Sequence, residues 1–237
     1  MKRKRKDLEA IFKISQAIIS DLYLEDILKL IVEVVSQLMG SRICSLMLLD
    51  DDGYLRIKAT QSVSKEYNEK PSLKVGEGIA GSVVKHKKPL AIFDVRKHQE
   101  YKYKDIAKKE GLVSLLCVPL IVKDRAIGVL NCYTSQPHRF SSREKKILST
   151  IANQAALVIE NTRLIIETRL IQEKLEARKL IERAKGILMK ELKLDEESAY
   201  RLMQKYSMSK RLSLKEIAQS IITTQELRNI PQNLEQF

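Results

Sequence analysis

A chain of 237 residues with 44% hydrophobic content has room for two modest cores, and its net charge of +13 suits a polyanionic partner. No apolar run approaches the length of a membrane span, and the charged start from Met1 to Lys6 lacks the apolar stretch of a leader. A cytoplasmic protein without membrane contact is expected, and the odd, widely spaced Cys44, Cys117 and Cys132 argue against a disulfide scaffold.

In chain order, residues 1–7 form a basic arm that adds nonspecific affinity or simply solubility. Arg42 to Asp50 and Tyr54 to Ala59 read as strands joined by Asp51-Asp52-Gly53, a strong hairpin signal. Val113 to Val122 and Ala126 to Tyr133 read as a second hairpin across Lys123-Asp124-Arg125. Their apolar runs predict strands covered on both faces. Gly76, Gly78 and Gly81 predict a tight turn into a short helix, since the Walker spacing of a phosphate loop is missing. Residues 62–72 and 93–111 are polar, Lys-rich and irregular.

From residue 8 to 164 the chain resembles a GAF domain. The resemblance rests on Ile14 to Ile18, Ser45 to Asp50, Gly76 to Gly81, Ser114 to Leu120, Ile127 to Asn131 and Ile151 to Ala156, in order. It implies an α+β fold, with a central antiparallel sheet, helices on one face and a ligand-sized cavity under loops on the other. The two irregular segments would then cover the pocket, with Arg96, His98, Tyr101 and Tyr103 placed to meet an anionic group; an exposed loop that binds nothing is the competing reading. The ligand is an unknown small molecule. The asparagine-to-glutamate signature of cyclic-nucleotide-binding GAF domains is not discernible. His86, His98 and His138 lack the spacing of a metal pair, so no metal is expected.

Ser141 with Glu144 is a capping box, and neither Gly nor Pro follows until Gly186. That stretch reads as one helix of about 45 residues, nearly 70 Å long. Residues 141–178 therefore connect the halves. Leu157, Leu164 and Ile171 repeat at heptad spacing, with Asn161, Thr168 and Leu175 at the alternate seam positions. A leucine seam with one polar asparagine predicts a parallel homodimer.

Beyond it, Ala199, Leu202, Met203 and Tyr206 form one helical stripe, and Leu214, Ile217, Ala218, Ile221 and Ile222 form another. Asp195 is an N-cap, and Ser213 with Glu216 is a capping box. Ala184, Ala199, Ser207 and Ala218 are small where larger residues would hold helices apart. Arg201, Lys205, Lys210, Arg211 and Lys215 follow one another with no acid before Glu216, and Lys179, Arg183 and Lys185 lie on the preceding helix. Gly186 inside that helix costs about 1 kcal/mol against alanine, explained by close approach of a helix or a nucleic acid, or by a kink.

Ile181 to Met189, Ala199 to Met203, Ser207-Met208 and Leu214 to Ala218 together resemble the ANTAR domain, a three-helix module of bacterial antiterminators that binds RNA hairpins. Ser207 stands where the family usually carries alanine. The resemblance covers residues 171–230, leaving 231–237 as a tail. It implies an α-helical output whose RNA-binding residues are Lys179, Arg183, Lys185, Gly186, Tyr200, Arg201, Lys205, Ser209, Lys210 and Arg211.

The expected protein is thus a non-enzymatic, ligand-responsive transcription antiterminator: a homodimer binding RNA stem-loops in nascent leaders. Two readings compete with it. A DNA-binding regulator would use Met208 to Leu212 as the turn of a helix-turn-helix, and a GAF-type methionine sulfoxide reductase would use the three cysteines.

Overall fold

A computed structural model describes residues 24–229, and the chain divides into two compact units between Leu164 and Ile165. The basic arm, the stretch Ile14 to Ile18 and the tail 231–237 lie outside the described residues.

The first unit is α+β. Its six-stranded antiparallel sheet has the order β3-β2-β1-β6-β5-β4. The strands are β1 (Ile43–Leu49), β2 (Tyr54–Thr60), β3 (Leu73–Lys74), β4 (Leu90–Ile92), β5 (Ser114–Val122) and β6 (Arg125–Thr134). Both expected hairpins are present. In the first, the Asp50 carboxylate accepts from the Tyr54 amide at 2.7 Å and from Arg56 Nε at 2.6 Å, closing the turn at Gly53. The second turn is one residue shorter than the sequence suggests. Lys123 and Asp124 alone form it, with φ of +45° and +60°, and Arg125 already pairs with Val122. That double left-handed geometry matches the twist of the flanking strands.

Strand alternation sorts the sheet into two faces. Cys44, Leu46, Leu116, Val118, Leu130 and Cys132 meet α1 (Leu24–Met39) and the start of α5 (Ser142–Leu192), burying Ile31, Val35, Leu148, Ile151 and Ala155. Met47, Leu115, Cys117, Val129 and Tyr133 meet α3 (Gly78–His86) through Ile79 and Val83 on the other face. With both faces covered, the central strands read as nearly continuous apolar runs. Gly81 is required where α3 starts, because a Cβ there would stand 2.2 Å from the Lys74 carbonyl oxygen.

The two segments expected to be irregular hold short helices, α2 (Lys65–Asn68) and α4 (Lys104–Lys109). Each buries a single side chain, Tyr67 or Ala107, which leaves no periodic signal in the sequence.

The second unit packs the end of α5 with α6 (Glu196–Lys210) and α7 (Leu214–Arg228) around Ala184, Ile187, Met203, Ile217, Ala218 and Ile222. Asp195 caps α6 by accepting from the Ser198 amide, and Ser213 with Glu216 closes the capping box of α7. Helix α5 continues through Gly186, and nothing lies within 4 Å of the Cβ that residue lacks. Neither a break in the helix nor packing within the unit explains the glycine. Two positions of α6 depart from expectation. Tyr206 is 53% exposed, because the bundle ends before its ring can be covered. Ser207 Oγ donates to the Leu212 carbonyl at 2.6 Å, so it closes the end of α6 and is not simply a small spacer that lets helices approach.

Candidate ligand pocket and nucleic-acid face

The sheet face under α2 and α3 carries a cluster of polar groups inside an apolar core. Ser45 of β1 and Asn131 of β6 sit opposite one another in register, and both are buried. Asn131 Nδ2 reaches Ser45 Oγ at 3.4 Å, and Ser45 Oγ shares a hydrogen bond with the Tyr67 hydroxyl at 3.0 Å. The Tyr101 hydroxyl donates to that of Tyr133 at 3.3 Å. Tyr133 stands edge-on to Tyr67 and Tyr101, with ring centroids 6.2 Å and 6.4 Å away. Buried phenols of this kind find partners because an unmade hydrogen bond in the core costs about 1–3 kcal/mol.

Lys70 faces these rings. Its Nζ lies 4.0 Å from the Tyr67 ring centroid and 5.3 Å from that of Tyr103. The residue as a whole is half-buried, with its ammonium laid over the fully buried Tyr67 ring. Burial pushes this ammonium down to about 7. Burial likewise raises the phenols of Tyr101 and Tyr103 to about 12 and pushes the Cys117 thiol up.

Lys70, Tyr101, Tyr103, Asn131 and Tyr133 line one small cavity with Met47 and Leu115. Its volume is about 20 Å³. One water needs roughly 10–15 Å³, so the closed pocket has room for a single water and no metabolite. Tyr103 closes its rim by donating its hydroxyl to the Pro71 carbonyl.

Of the four side chains the sequence placed at the ligand, Tyr101 and Tyr103 line this cavity. Arg96 and His98 do not. Arg96 is spent in a two-pronged pair with Asp94, both contacts at 2.9 Å, and His98 Nδ1 is buried without a hydrogen-bond partner among the described residues. Sequence reasoning missed Ser45, Tyr67, Lys70, Asn131 and Tyr133. A polar residue interrupting an apolar strand, as Ser45 and Asn131 do, was the available signal.

The Lys70 shift has a measurable consequence. Its ordinary pKa of 10.5 applies to the unfolded chain and about 7 to the folded one. Between those values the unfolded state binds the extra proton, so stability rises with pH across that window. Lys70→Met should therefore stabilise the first unit below about pH 7, by several kcal/mol, and the advantage should vanish above about pH 10.5. Urea midpoints of both proteins at the two ends of the window check this.

The cysteines divide between the faces. Cys44 and Cys132 touch across β1 and β6, with Sγ atoms 3.9 Å apart in the helix-covered core, while Cys117 lies on the pocket face. All three are buried free thiols, and burial pushes Cys44 and Cys117 away from the thiolate form. Among the described residues no group of three His, Cys, Asp or Glu side chains is placed to hold a metal ion, and no helix is long and apolar enough to cross a membrane.

On the three-helix unit, Lys179, Arg201, Lys205, Lys210 and Arg211 are exposed. Arg201 pairs with Glu197 one turn away, and Arg183 pairs with Glu226 at 2.8 Å. Such exposed pairs hold by at most about 1 kcal/mol and open readily for a stronger partner. No ion pair among the described residues engages Lys179, Lys205, Lys210 or Arg211. Lys185 departs from the expected cationic face. It is 7% exposed and bridges α5 to the start of α6, meeting Glu196 at 2.7 Å and Glu182 at 2.9 Å. Those two carboxylates, Glu196 first, hold its ammonium above the ordinary range. Gly186 is exposed and Tyr200 half-exposed, while Ser209 donates its hydroxyl to the Tyr206 carbonyl. The exposed seam positions are Leu157, Asn161, Leu164, Ile171 and Leu175, with Thr168 on the same uncovered stripe.

Two family models match the chain, a GAF domain over residues 22–160 and an ANTAR domain over residues 169–222. Among curated proteins, the transcriptional regulatory protein PdtaR of Mycobacterium tuberculosis is 25% identical over 187 residues, 75% of this chain and 89% of that protein. A phosphoenolpyruvate-dependent phosphotransferase system protein of Escherichia coli is 26% identical over 142 residues. That match spans 60% of this chain but only 19% of the phosphotransferase protein. Among solved structures, the GAF domain of a phosphoenolpyruvate-protein phosphotransferase from Coxiella burnetii superposes with a TM-score of 0.60 at 28% identity, covering 68% of this chain and 96% of that one.

Proposed function

The chain belongs to the GAF family and carries an ANTAR domain behind its GAF domain, and on that premise we propose that it is a ligand-responsive transcription antiterminator acting on RNA stem-loops. The observation that carries the reading is a compact three-helix unit of ANTAR type with exposed, unpaired cations on α6 and the turn after it. Lys and Arg there meet phosphates, while bases unstacked in a hairpin loop are the groups side chains can read. Lys185 is left out of this interface because its charge already joins two helices.

The protein is proposed to work in the cytoplasm and without catalysis, its pocket sensing a small molecule and its three-helix unit holding leader hairpins against the competing terminator. A reductase role is disfavoured by where the thiols lie, since attack on a sulfoxide needs an accessible thiolate.

The test is direct competition between hairpin RNA and duplex DNA for the full chain at matched salt. Hairpin affinity should dominate, and Lys205→Ala with Lys210→Ala should weaken it about tenfold without changing the melting temperature. Log affinity should fall with log salt by about 0.7 per phosphate neutralised. Preference for duplex DNA would favour a helix-turn-helix regulator instead.

The stripe Leu157, Asn161, Leu164, Thr168, Ile171 and Leu175 supports a parallel homodimer, because exposed apolar residues at heptad spacing need a partner. Pairing two modules makes the second hairpin encounter intramolecular, at an effective concentration of about mM. Sedimentation at about micromolar concentration should report a dimer, and Asn161→Leu should stabilise it while loosening its oligomer number. A monomer would end this part of the reading.

A further inference from the structure

Lys70 lines the cavity with its ammonium over two aromatic rings and without a counter-ion among the described residues. Its ring contacts with Tyr67 and Tyr103 offset only part of the cost of taking an ammonium out of water. A second lysine, Lys102, lines the same cavity, but Glu77 holds it at 3.5 Å. The pocket therefore offers one unmatched positive charge beside an apolar wall and neutral polar groups.

We propose that the pocket recognises a small organic monoanion, a monocarboxylate whose acid group pairs with Lys70 Nζ while its apolar remainder lies against Leu115 and Tyr133. This rests on the sensor reading of the same site and names the class of its ligand. A phosphate dianion would need a second free cation, which the Lys102–Glu77 pair does not supply. A neutral ligand would leave the buried charge unmatched. Asn131 adds a polar amide to the cavity wall, suited to a hydroxyl or oxo substituent near the acid group. Admission requires the rim to part where Tyr103 bonds to Pro71, since the closed cavity holds one water.

The groups facing Lys70 set the pH dependence. Tyr67, Tyr101, Tyr103, Tyr133 and Cys117 are all raised by burial and stay neutral near pH 7, while Glu77 remains ionised beside Lys102. Lys70 alone changes charge in that range, and an anion binds its protonated form. Affinity should fall as pH rises above about 7.

The experiment titrates the full chain with acetate, propanoate and lactate, and with their primary amides, by ligand-detected NMR and calorimetry at about pH 6 and about pH 8.5. Lys70→Met and Lys70→Gln are run alongside, with thermal melts confirming their fold. The expected result is at least one acid bound about tenfold tighter than its amide, with the preference lost in both variants and affinity reduced about thirtyfold at the higher pH. Equal binding of acids and amides, unchanged acid binding in the variants, or no acid bound below about 10 mM overturns the proposal. Hairpin affinity is read on the same preparations. Intact hairpin binding without acid binding overturns the anion assignment alone, whereas acid binding without hairpin affinity overturns the antiterminator reading and leaves the assignment standing.

Discussion

In an Ala218→Leu variant the three-helix unit should unfold while the sheet unit keeps its own melting transition. Ala184, Ala199 and Ala218 have no exposed surface, and with Met203 and Ile217 they fill the space where α5, α6 and α7 cross. An isobutyl group at Ala218 has nowhere to go except between helix backbones. Overpacking of this kind costs about 1–3 kcal/mol and occasionally more. A unit of this size buries too little surface to absorb that loss, because small domains are marginal. Hairpin affinity should therefore fall by about a hundredfold or more, against a control at exposed Gln219→Leu that changes it little. Urea unfolding followed by circular dichroism should show the helical amplitude of one transition lost and the other midpoint unmoved. A variant that melts like the parent would mean that the helices cross farther apart than Ala218 implies.

The sequence states some of this architecture openly and hides the rest for physical reasons. Capping residues, the hairpin at Gly53 and the helical stripes are local signals. Asp195, Ser213 with Glu216, and the β1–β2 turn all form as the residues require. The two-faced burial of the central strands also follows from apolar runs too continuous for a half-exposed sheet, whereas the short β3 and β4 leave no such mark. Contacts between distant segments carry no such mark. Lys70 looks like any lysine of a polar loop until α2 sets Tyr67 beneath it and α4 brings Tyr103 across. Lys185 looks like part of a basic face until Asp195 starts α6 where Glu196 can reach it. Arg96 looks free, yet Asp94 two residues earlier claims it in both directions of its fork. In each case the partner is decided by topology, and a composition-based reading of charge cannot see it. Tyr206 fails differently: its spacing is correct, but among the described residues no further helix covers it.

Replacing Gly128 with alanine should have the opposite effect to Ala218→Leu, unfolding the sheet unit and sparing the three-helix one. Gly128 sits in β6 between Leu48 of β1 and Leu120 of β5, the centre of the sheet. A Cβ there would stand 2.1 Å from the Met47 carbonyl oxygen and 3.1 Å from Leu48 Cα. The obstacle is backbone on a neighbouring strand, which no side-chain rotation relieves. Separating β1 from β6 would break the ladder that places Ser45 opposite Asn131, so the pocket floor is lost with the fold. We expect a destabilisation of about 4 kcal/mol or more, in the range reserved for special backbone and packing failures. Val129→Ala, one residue along and fully buried, supplies the comparison, since it removes atoms and should cost about 1–3 kcal/mol. If the two units are energetically separate, Gly128→Ala retains binding to an isolated hairpin and loses every response to compounds that bind the pocket. Loss of single-hairpin affinity as well would mean that the three-helix unit depends on the sheet unit for its stability.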